Sequence, residues 1–497
     1  MTGQRPHIII FNPDQWRADV MGHHGNPAAR TPNLDSWVDS DAVSFRNAFC
    51  QNPVCTPSRC SFMSGWYPHV RGHRTMYHMM RPGEPVLLKT LKDNGYYVWW
   101  GGKNDLVPGQ GGFDDYCDLK YDTGDSVRPM FASDRSSEWR GEPGSDTFYS
   151  FLVGRLDAPE GEPYYDKDWA NVLGAVAQIR EWGKRAAQGE EPPPLCIYLP
   201  ITYPHPPYAV EDPWFGSIDR NALPERIPAD PTGKPSILNG IRERQRLQGW
   251  SEERWDELRA TYYGMCARVD HQFGLVVEAL KEAGLYDDSA MFFFSDHGDF
   301  TGDYGLVEKT QNTFEDCLTN VPFLIKPPAG IPVRPRVSEA LVELVDFSAT
   351  VEELAGIEPQ HSHFGRSLLP VLAGETDEHR DAVFCEGGRL RDERQAMELE
   401  STSALQPDGL YWPRVSLQTE SGPEHTKAVM CRTAEAKYVR RLYEDDELYD
   451  LRADPREEHN LAADPAYAGL KARLSDRLLT WYQETADVVP LVPDSRE

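Results

Sequence analysis

The feature that most constrains this fold is a repeated pairing of a short, unbroken apolar run with a polar turn. His7-Ile-Ile-Ile-Phe11 leads into Asn12-Pro13-Asp14-Gln15-Trp16-Arg17, and Ser289-Ala-Met-Phe-Phe-Phe-Ser295 leads into Asp296-His297-Gly298-Asp299. Tyr96-Tyr-Val-Trp-Trp100 is followed by Gly101-Gly-Lys103-Asn-Asp105, and Leu195-Cys-Ile-Tyr-Leu199 by Ile201-Thr-Tyr-Pro204-His205. Apolar runs of this length without polar alternation read as strands buried on both faces, as in a parallel sheet between helices. In such open sheets ligands bind beyond the carboxyl ends of the strands. The turns at Asp14 and Asp296 then share one edge and can converge on one ion.

A further stretch stands apart from this pattern. In Asn52-Pro-Val-Cys55-Thr56-Pro57-Ser58-Arg59-Cys60-Ser61-Phe-Met-Ser-Gly65 a cysteine precedes an arginine by four residues, with a proline between them. Pro57 suits the first turn of a helix, where its missing N–H costs nothing. A helix start offers unpaired N–H groups and positive potential. Arg59 adds a planar fork of donors suited to sulfate or phosphate. The stretch reads as a nucleophile facing a tetrahedral anion; a buried structural thiol at Cys55 is the alternative left open by residue type alone. Asp14 and Gln15 are hard oxygen donors suited to calcium, magnesium or manganese, and His297 is a softer donor. Plainer readings exist for each position taken singly: a capping turn at Asp14, a solvated lysine at 103, a surface histidine at 205.

Cys55-Thr56-Pro57-Ser58-Arg59 resembles the Cys-x-Pro-Ser/Ala-Arg signature of type I sulfatases, in the alkaline phosphatase superfamily. Thr31-Pro-Asn-Leu-Asp35 and Ser64-Gly65-Trp66-Tyr67-Pro68-His69 are similar to its surroundings, with Trp66 where an arginine commonly stands. The resemblance implies that Cys55 is oxidised to formylglycine by a formylglycine-generating enzyme, and that the hydrated aldehyde is the nucleophile. It implies one divalent metal, Ca²⁺ first with Mn²⁺ or Mg²⁺ as alternatives, held by Asp14, Gln15, Cys55, Asp296 and His297. It further implies catalytic roles for Cys55 itself, for Arg59 at the aldehyde hydrate, for Lys103 and Lys309 on the sulfate oxygens, and for His205 at the sulfate or leaving oxygen. Gly302-Asp-Tyr-Gly305-Leu-Val-Glu-Lys309, Phe364-Gly-Arg-Ser-Leu-Leu369 and Glu447-Leu-Tyr-Asp450 through Asn460-Leu461 extend the likeness nearly end to end. Two positions depart from it: Gln15 replaces a second aspartate, as in some relatives that hydrolyse phosphonate monoesters, and Asp105 replaces a histidine. An ionised carboxylate only accepts hydrogen bonds, so Asp105 cannot simply do that histidine's work.

The activity implied is hydrolysis of a sulfate ester of a saccharide or small organosulfate, a uronic-acid sulfate among them. The alternatives are phosphonate monoester or phosphodiester hydrolysis on the same scaffold, and a non-catalytic binding protein with an unmodified thiol. A formal net charge of −28 argues against a nucleic-acid-binding surface. An anionic substrate therefore needs local basic residues, and Arg59, His69, Arg71, His73, Arg74, His78 and Arg81 form a candidate cluster. Nine cysteines without CxxC spacing indicate neither a zinc site nor a disulfide framework. The start, residues 1–7, leads to an apolar run too brief for a signal sequence, and no stretch nears the roughly 18 apolar residues that span a membrane. The expectation is a cytoplasmic protein without membrane or nucleic-acid partners.

The fold expected is α/β: a large, mixed, mostly parallel sheet flanked by helices, as in alkaline phosphatases and sulfatases, followed by a smaller C-terminal antiparallel sheet with a packed helix. Residues 1–375 form the catalytic domain, with an insertion at about 106–190, and residues 376–497 form the C-terminal subdomain. Helices are expected from Pro85 to Asn94, within 169–185, from Glu252 to Gly284 as one helix or a pair, over Val345–Gly356 and over Pro465–Thr485. Val43-Ser-Phe45 reads as an edge strand and 209–250 as irregular.

Overall fold

A computed structural model describes residues 5–124, 127–128, 139–159, 161–398, 406–420 and 422–496. Residues 1–4 of the starting segment, parts of the expected 106–190 insertion and residues 399–405 and 421 of the expected C-terminal subdomain lie outside the described residues. At the centre runs β1 (His7–Asp14), buried along its whole length. Its residues serve two cores in alternation. Ile8 and Ile10 pack with Phe45, Phe62 and Phe292, whereas Ile9 and Phe11 pack with Trp37, Phe273 and Phe293. Both faces are covered, which is why the run has no polar alternation.

The strands that follow are β2 (Val43–Phe49), β3 (Tyr97–Trp100), β4 (Leu119–Lys120), β5 (Leu152–Arg155), β6 (Leu195–Pro204), β7 (Tyr208–Val210), β8 (Ser289–Phe294), β9 (Phe323–Lys326) and β10 (Arg336–Glu343). Eight of them form one sheet in the order β10-β2-β9-β8-β1-β6-β3-β4, and β5 with β7 forms a separate pair. β1 is parallel to β6 and to β8, and β3 to β6. Within the large sheet only β9 runs against its neighbours. The turns after β1, β3, β6 and β8 therefore open on one edge.

Helix α1 (Pro32–Ser40), the Lys167–Ala187 helix and the Glu252–Glu282 helix cover one face through Leu34, Val176, Ile179, Val269 and Leu280. Helix α2 (Cys55–Ser64), with the Leu87–Asp93 and Asp346–Ala355 helices, covers the other through Phe62, Leu91 and Phe347.

A second sheet is antiparallel: β11 (Val383–Gly387), β12 (Ala428–Arg432), β13 (Ala436–Arg441) and β14 (Glu447–Asp450). The Ala468–Thr485 helix lies on it, with Trp481 stacked on Phe384 at 4.6 Å. The opposite face of β11 presents Val383 and Cys385 to the core of the large sheet. Asp316 accepts from Lys437 and Arg432 across this boundary.

The expected α/β architecture is present, with two local corrections. β2 is an interior strand, because β10, unread in the sequence, pairs outside it. The stretch 209–250 contains the Ser236–Gln245 helix, whose apolar side is carried only by Ile237, Leu238 and Ile241. Of the two forms expected for Glu252 to Gly284, one helix or a pair, the chain takes the first, a single helix over Glu252–Glu282. Among the described residues, no helix is long and apolar enough to cross a membrane.

Candidate active site

Four side chains meet at the carboxyl edge of the large sheet. Ligand atoms of Asp14, Cys55, Asp296 and His297 all lie within 4.8 Å of one another, and all four residues are buried. Asp14 is the last residue of β1, Asp296 and His297 follow β8, and Cys55 opens α2. The approach to α2 is fixed from a distance. Asn52 accepts from the backbone N–H of Val54 at 3.0 Å and donates to the Glu386 carbonyl at 2.7 Å. The Glu386 backbone N–H donates to the Gln51 carbonyl at 3.0 Å.

His297 donates from Nδ1 to the Gly298 carbonyl at 2.9 Å, which leaves Nε2 bare. That nitrogen is 3.1 Å from Cys55 Sγ and 3.7 Å from Asp14 Oδ1. Such a bond on the far nitrogen is how a metal-ligating imidazole is oriented. Burial, opposed by Asp296, keeps the ring below its ordinary pKa and therefore unprotonated.

Arg59, wholly buried, spreads its fork under the cluster. Nε donates to Asp296 Oδ2 at 3.0 Å, Nη2 to Asp14 Oδ2 at 3.2 Å, and Nη1 to Asn12 Oδ1 at 2.9 Å and to the Tyr198 hydroxyl at 3.2 Å. Burial alone would raise the Asp14 carboxyl, but Lys103, followed by His205, Arg59 and His297, pulls it well below the usual carboxylate range.

Gln15 has a left-handed backbone, φ 70°, a conformation that costs a non-glycine residue on the order of 1 kcal/mol. Its N–H donates to Asp296 Oδ1 at 3.1 Å. Its amide nitrogen donates to Asp299 Oδ2 at 2.5 Å, and its Oε1 accepts from Lys309 at 2.7 Å. Burial pushes the Asp299 carboxyl up to about 6, against hydrogen bonds from Thr301, Tyr208 and Gln15. A carbonyl oxygen has two lone pairs, so Gln15 Oε1 keeps one beyond the Lys309 bond.

Two lysines stand at the sides. Lys103 reaches Asp14 Oδ2 at 2.5 Å and Asp105 Oδ2 at 2.8 Å. Lys309 reaches His205 Nε2 at 3.1 Å and Glu308 Oε1 at 2.8 Å. His205 donates from Nδ1 to the Pro206 carbonyl at 2.6 Å, so its Nε2 accepts from Lys309. Burial and the Lys309 charge hold the imidazole well below its ordinary pKa.

The structure thus brings Asp14, Gln15, Cys55, Arg59, Lys103, His205, Asp296, His297 and Lys309 into one cleft. The other basic residues near the signature are engaged elsewhere. His69 bonds Glu386, His73 pairs with Glu84, Arg74 with Glu393 and Arg81 with Glu84. These four side chains meet carboxylates away from the cluster, Arg71 lies over the Trp66 ring and His78 bonds the Thr75 hydroxyl. Sequence reasoning missed several supporting groups. Asn12 opens the turn after the first apolar run and Tyr198 sits within another; the side chains of both hold Arg59. Glu308, φ 69°, anchors Lys309 and meets Arg414 Nε at 3.5 Å. Arg414 belongs to an irregular segment without periodicity to mark it. Asn12, two residues before Asp14, is the one that position alone could have flagged.

The donor set fits a divalent ion. Two carboxylates, a bare imidazole nitrogen and the Cys55 side chain gather in one place; oxygen donors suit Ca²⁺ and the imidazole brings Mn²⁺ into range.

A family model described as Sulfatase matches residues 6–357. The multifunctional alkaline phosphatase superfamily protein PehA of Trinickia caryophylli is 26% identical over 521 residues, covering 97% of this chain and 96% of that protein. The choline-sulfatase of Rhizobium meliloti is 26% identical over 506 residues, covering 98% and 89%. Among solved structures, the phosphonate monoester hydrolase of Agrobacterium radiobacter superposes with a TM-score of 0.72 at 23% identity, covering 98% of this chain and 100% of that one. That last likeness shows the shared fold.

Proposed function

This chain belongs to the sulfatase family, the sulfuric ester hydrolases, and we propose that it cleaves the sulfate ester of a saccharide or small organosulfate at the Asp14–Cys55–Asp296–His297 cluster. The observation that carries this reading is the position of Cys55. Its sulfur lies 3.1 Å from His297 Nε2 and 3.6 Å from Asp14 Oδ1, at the first residue of a helix and against the proposed metal position. Burial, then the Asp14 charge, raises the thiol far above its ordinary pKa. A thiol held protonated is a poor nucleophile, which favours Cys55 as precursor of a formylglycine over Cys55 as the attacking group.

When bound, the divalent ion supplies Lewis acidity toward a sulfate oxygen and toward the hydrated aldehyde. Asp14, Gln15, Asp296, His297 and the Cys55 side chain hold it, with Ca²⁺ first on the count of oxygen donors. Arg59 fixes Asp14 and Asp296 from beneath, so the ligand geometry is set before substrate arrives. Lys103 and Lys309 flank the cluster and neutralise charge on the sulfate oxygens as the ester bond breaks. The proton for the leaving oxygen comes from the His205–Lys309 pair. In the resting arrangement it resides on Lys309 Nζ, because His205 Nε2 is an acceptor. Cytoplasmic residence and maturation by a formylglycine-generating enzyme belong to the same reading.

The test is the mass of the tryptic peptide carrying Cys55, from protein made alongside a formylglycine-generating enzyme, together with turnover of an aryl sulfate. Loss of mass at Cys55 (sulfur and two hydrogens exchanged for one oxygen) with turnover supports the reading. An intact thiol with full turnover sinks it. One observation favours phosphonate monoester hydrolysis as a second reading: Gln15 stands where a second carboxylate would, and its oxygen is tied to Lys309. The ratio of rates on matched aryl sulfate and aryl phosphonate esters decides between the two.

A further inference from the structure

Asp299 lies two residues beyond His297 but outside the ligand cluster. It is wholly buried. Its carboxylate accepts from the Gln15 amide nitrogen at 2.5 Å, the Tyr208 hydroxyl at 2.8 Å, and the Thr301 N–H and hydroxyl at 2.6 and 2.7 Å. The backbone around it is strained: Gln15 (φ 70°), Thr301 (φ 46°) and Glu308 (φ 69°) are left-handed residues other than glycine. Gln15 and Thr301 bond Asp299 directly. The Glu308 N–H donates to the Tyr208 hydroxyl at 3.1 Å, and that hydroxyl donates to Asp299. Such conformations persist only where surrounding bonds over-determine them, and they gather at functional sites. Asp299 is the group these three residues share.

The bond to Gln15 has a consequence for the site. An ionised carboxylate only accepts hydrogen bonds, and an ammonium only donates them. The Gln15 side chain lies between one of each: Asp299 at its nitrogen, and Lys309 at its oxygen at 2.7 Å. One orientation of the amide satisfies both. The reverse would set its nitrogen against the ammonium and its oxygen against the carboxylate. An acid at position 15 would set oxygen against oxygen.

Resting on the metal-site reading, we infer that Asp299 is a positioning residue: by holding the Gln15 nitrogen it turns the amide oxygen toward Lys309 and the ion. Asp299 also carries, one side chain farther out, the negative charge that a second aspartate would bring, and so requires an amide rather than an acid at position 15. The two positions form a matched pair, amide with acid. In Asp299→Asn the new side chain keeps its oxygen on the Thr301 N–H, a group that can only donate, and presents its NH₂ to Gln15. The Gln15 amide must then turn over, which sets its nitrogen against Lys309. Adding Gln15→Glu offers oxygens on both sides and removes the conflict at unchanged net charge.

The experiment is a calorimetric titration of Ca²⁺, and separately of Mn²⁺, into the EDTA-treated full chain near neutral pH. Asp299→Asn should weaken the ion by about ten- to a hundredfold. The double variant Asp299→Asn/Gln15→Glu should return to within about threefold of the wild type. Asp105→Asn is the control for charge, since it removes one negative charge on the Lys103 side without touching Gln15. Adding Gln15→Glu to Asp105→Asn should not raise the affinity and should lower the thermal midpoint, because two carboxylates then meet at Asp299. No loss in Asp299→Asn, no recovery in the double variant, or an equal gain in the Asp105→Asn background overturns the inference. Where Asp299→Asn lacks a native near-ultraviolet dichroism spectrum, the double variant decides in the same way, by regaining both spectrum and affinity or by failing to. A wild type that binds neither ion overturns the ion site and this role with it. Turnover by the matured protein is measured separately: its absence, with the binding cycle intact, defeats the hydrolase reading alone.

Discussion

The floor of the cleft and its Lys103-side wall are built on different terms. On the floor, Asp14, Cys55, Arg59, Asp296 and His297 are each at most 1% exposed, and they sit on strand ends and the first turns of α2. Each has at least two neighbours that fix it, and Arg59 alone bonds four groups. The wall is made of turns and the start of one helix, with Lys103 partly exposed and Asn171 keeping an unpaired oxygen. A fully satisfied buried network specifies one geometry. The floor is thus fixed by its own bonds, whereas the wall keeps a partly exposed Lys103.

That division can be broken by experiment. The largest effect is expected from Cys55→Ala, which removes the nucleophile precursor: turnover of any sulfate ester should fall by at least about a thousandfold, with the circular dichroism spectrum unchanged. Chelation comes next. Dialysis against EDTA should abolish turnover, and adding back Ca²⁺ or Mn²⁺ should restore it, as read by initial rates; activity that survives chelation would remove the ion from the floor. Arg59→Lys keeps the charge and loses the fork. It should lower turnover by about a hundredfold and destabilise the fold by roughly 3 kcal/mol, because buried carboxylates lose partners, as seen in the thermal midpoint and in kcat. A smaller and more selective effect is expected at His205. For His205→Ala, the loss on an alkyl sulfate should exceed that on 4-nitrophenyl sulfate by about tenfold, since a poor leaving oxygen needs the proton more. Equal losses on both would move His205 from proton delivery to mere support of Lys309.

The same contrast explains what the sequence disclosed. β1, β3, β6 and β8 were legible because a strand buried on both faces must be an unbroken apolar run, and their turns marked the floor. β10 escaped notice because Arg336, which is half-buried, and the exposed Glu339 interrupt its pattern at the sheet margin. The Ser236–Gln245 helix was hidden by its few apolar residues. Around the site, Asp14, Cys55 and Asp296 were recoverable from short motifs next to strands. Glu308 and Arg414 were not, since each gains its role from a partner far along the chain. Asp105, the odd residue beside Lys103, proves to be its ion-pair partner, a relation that spacing alone does not reveal.

One contact carries a consequence in time as well as space. The Asn52–Glu386 bond that steadies the approach to Cys55 joins residues 334 positions apart. During synthesis the cysteine leaves the ribosome long before β11 exists to hold its loop. If Cys55 is oxidised by another enzyme, as proposed, that interval is when the thiol is within reach, because in the finished fold it is only 1% exposed. Maturation and folding are then in a race, and the last quarter of the chain sets its finish: a ribosome stalled before residue 383 should leave Cys55 open to a thiol reagent, and release of the complete chain should close it.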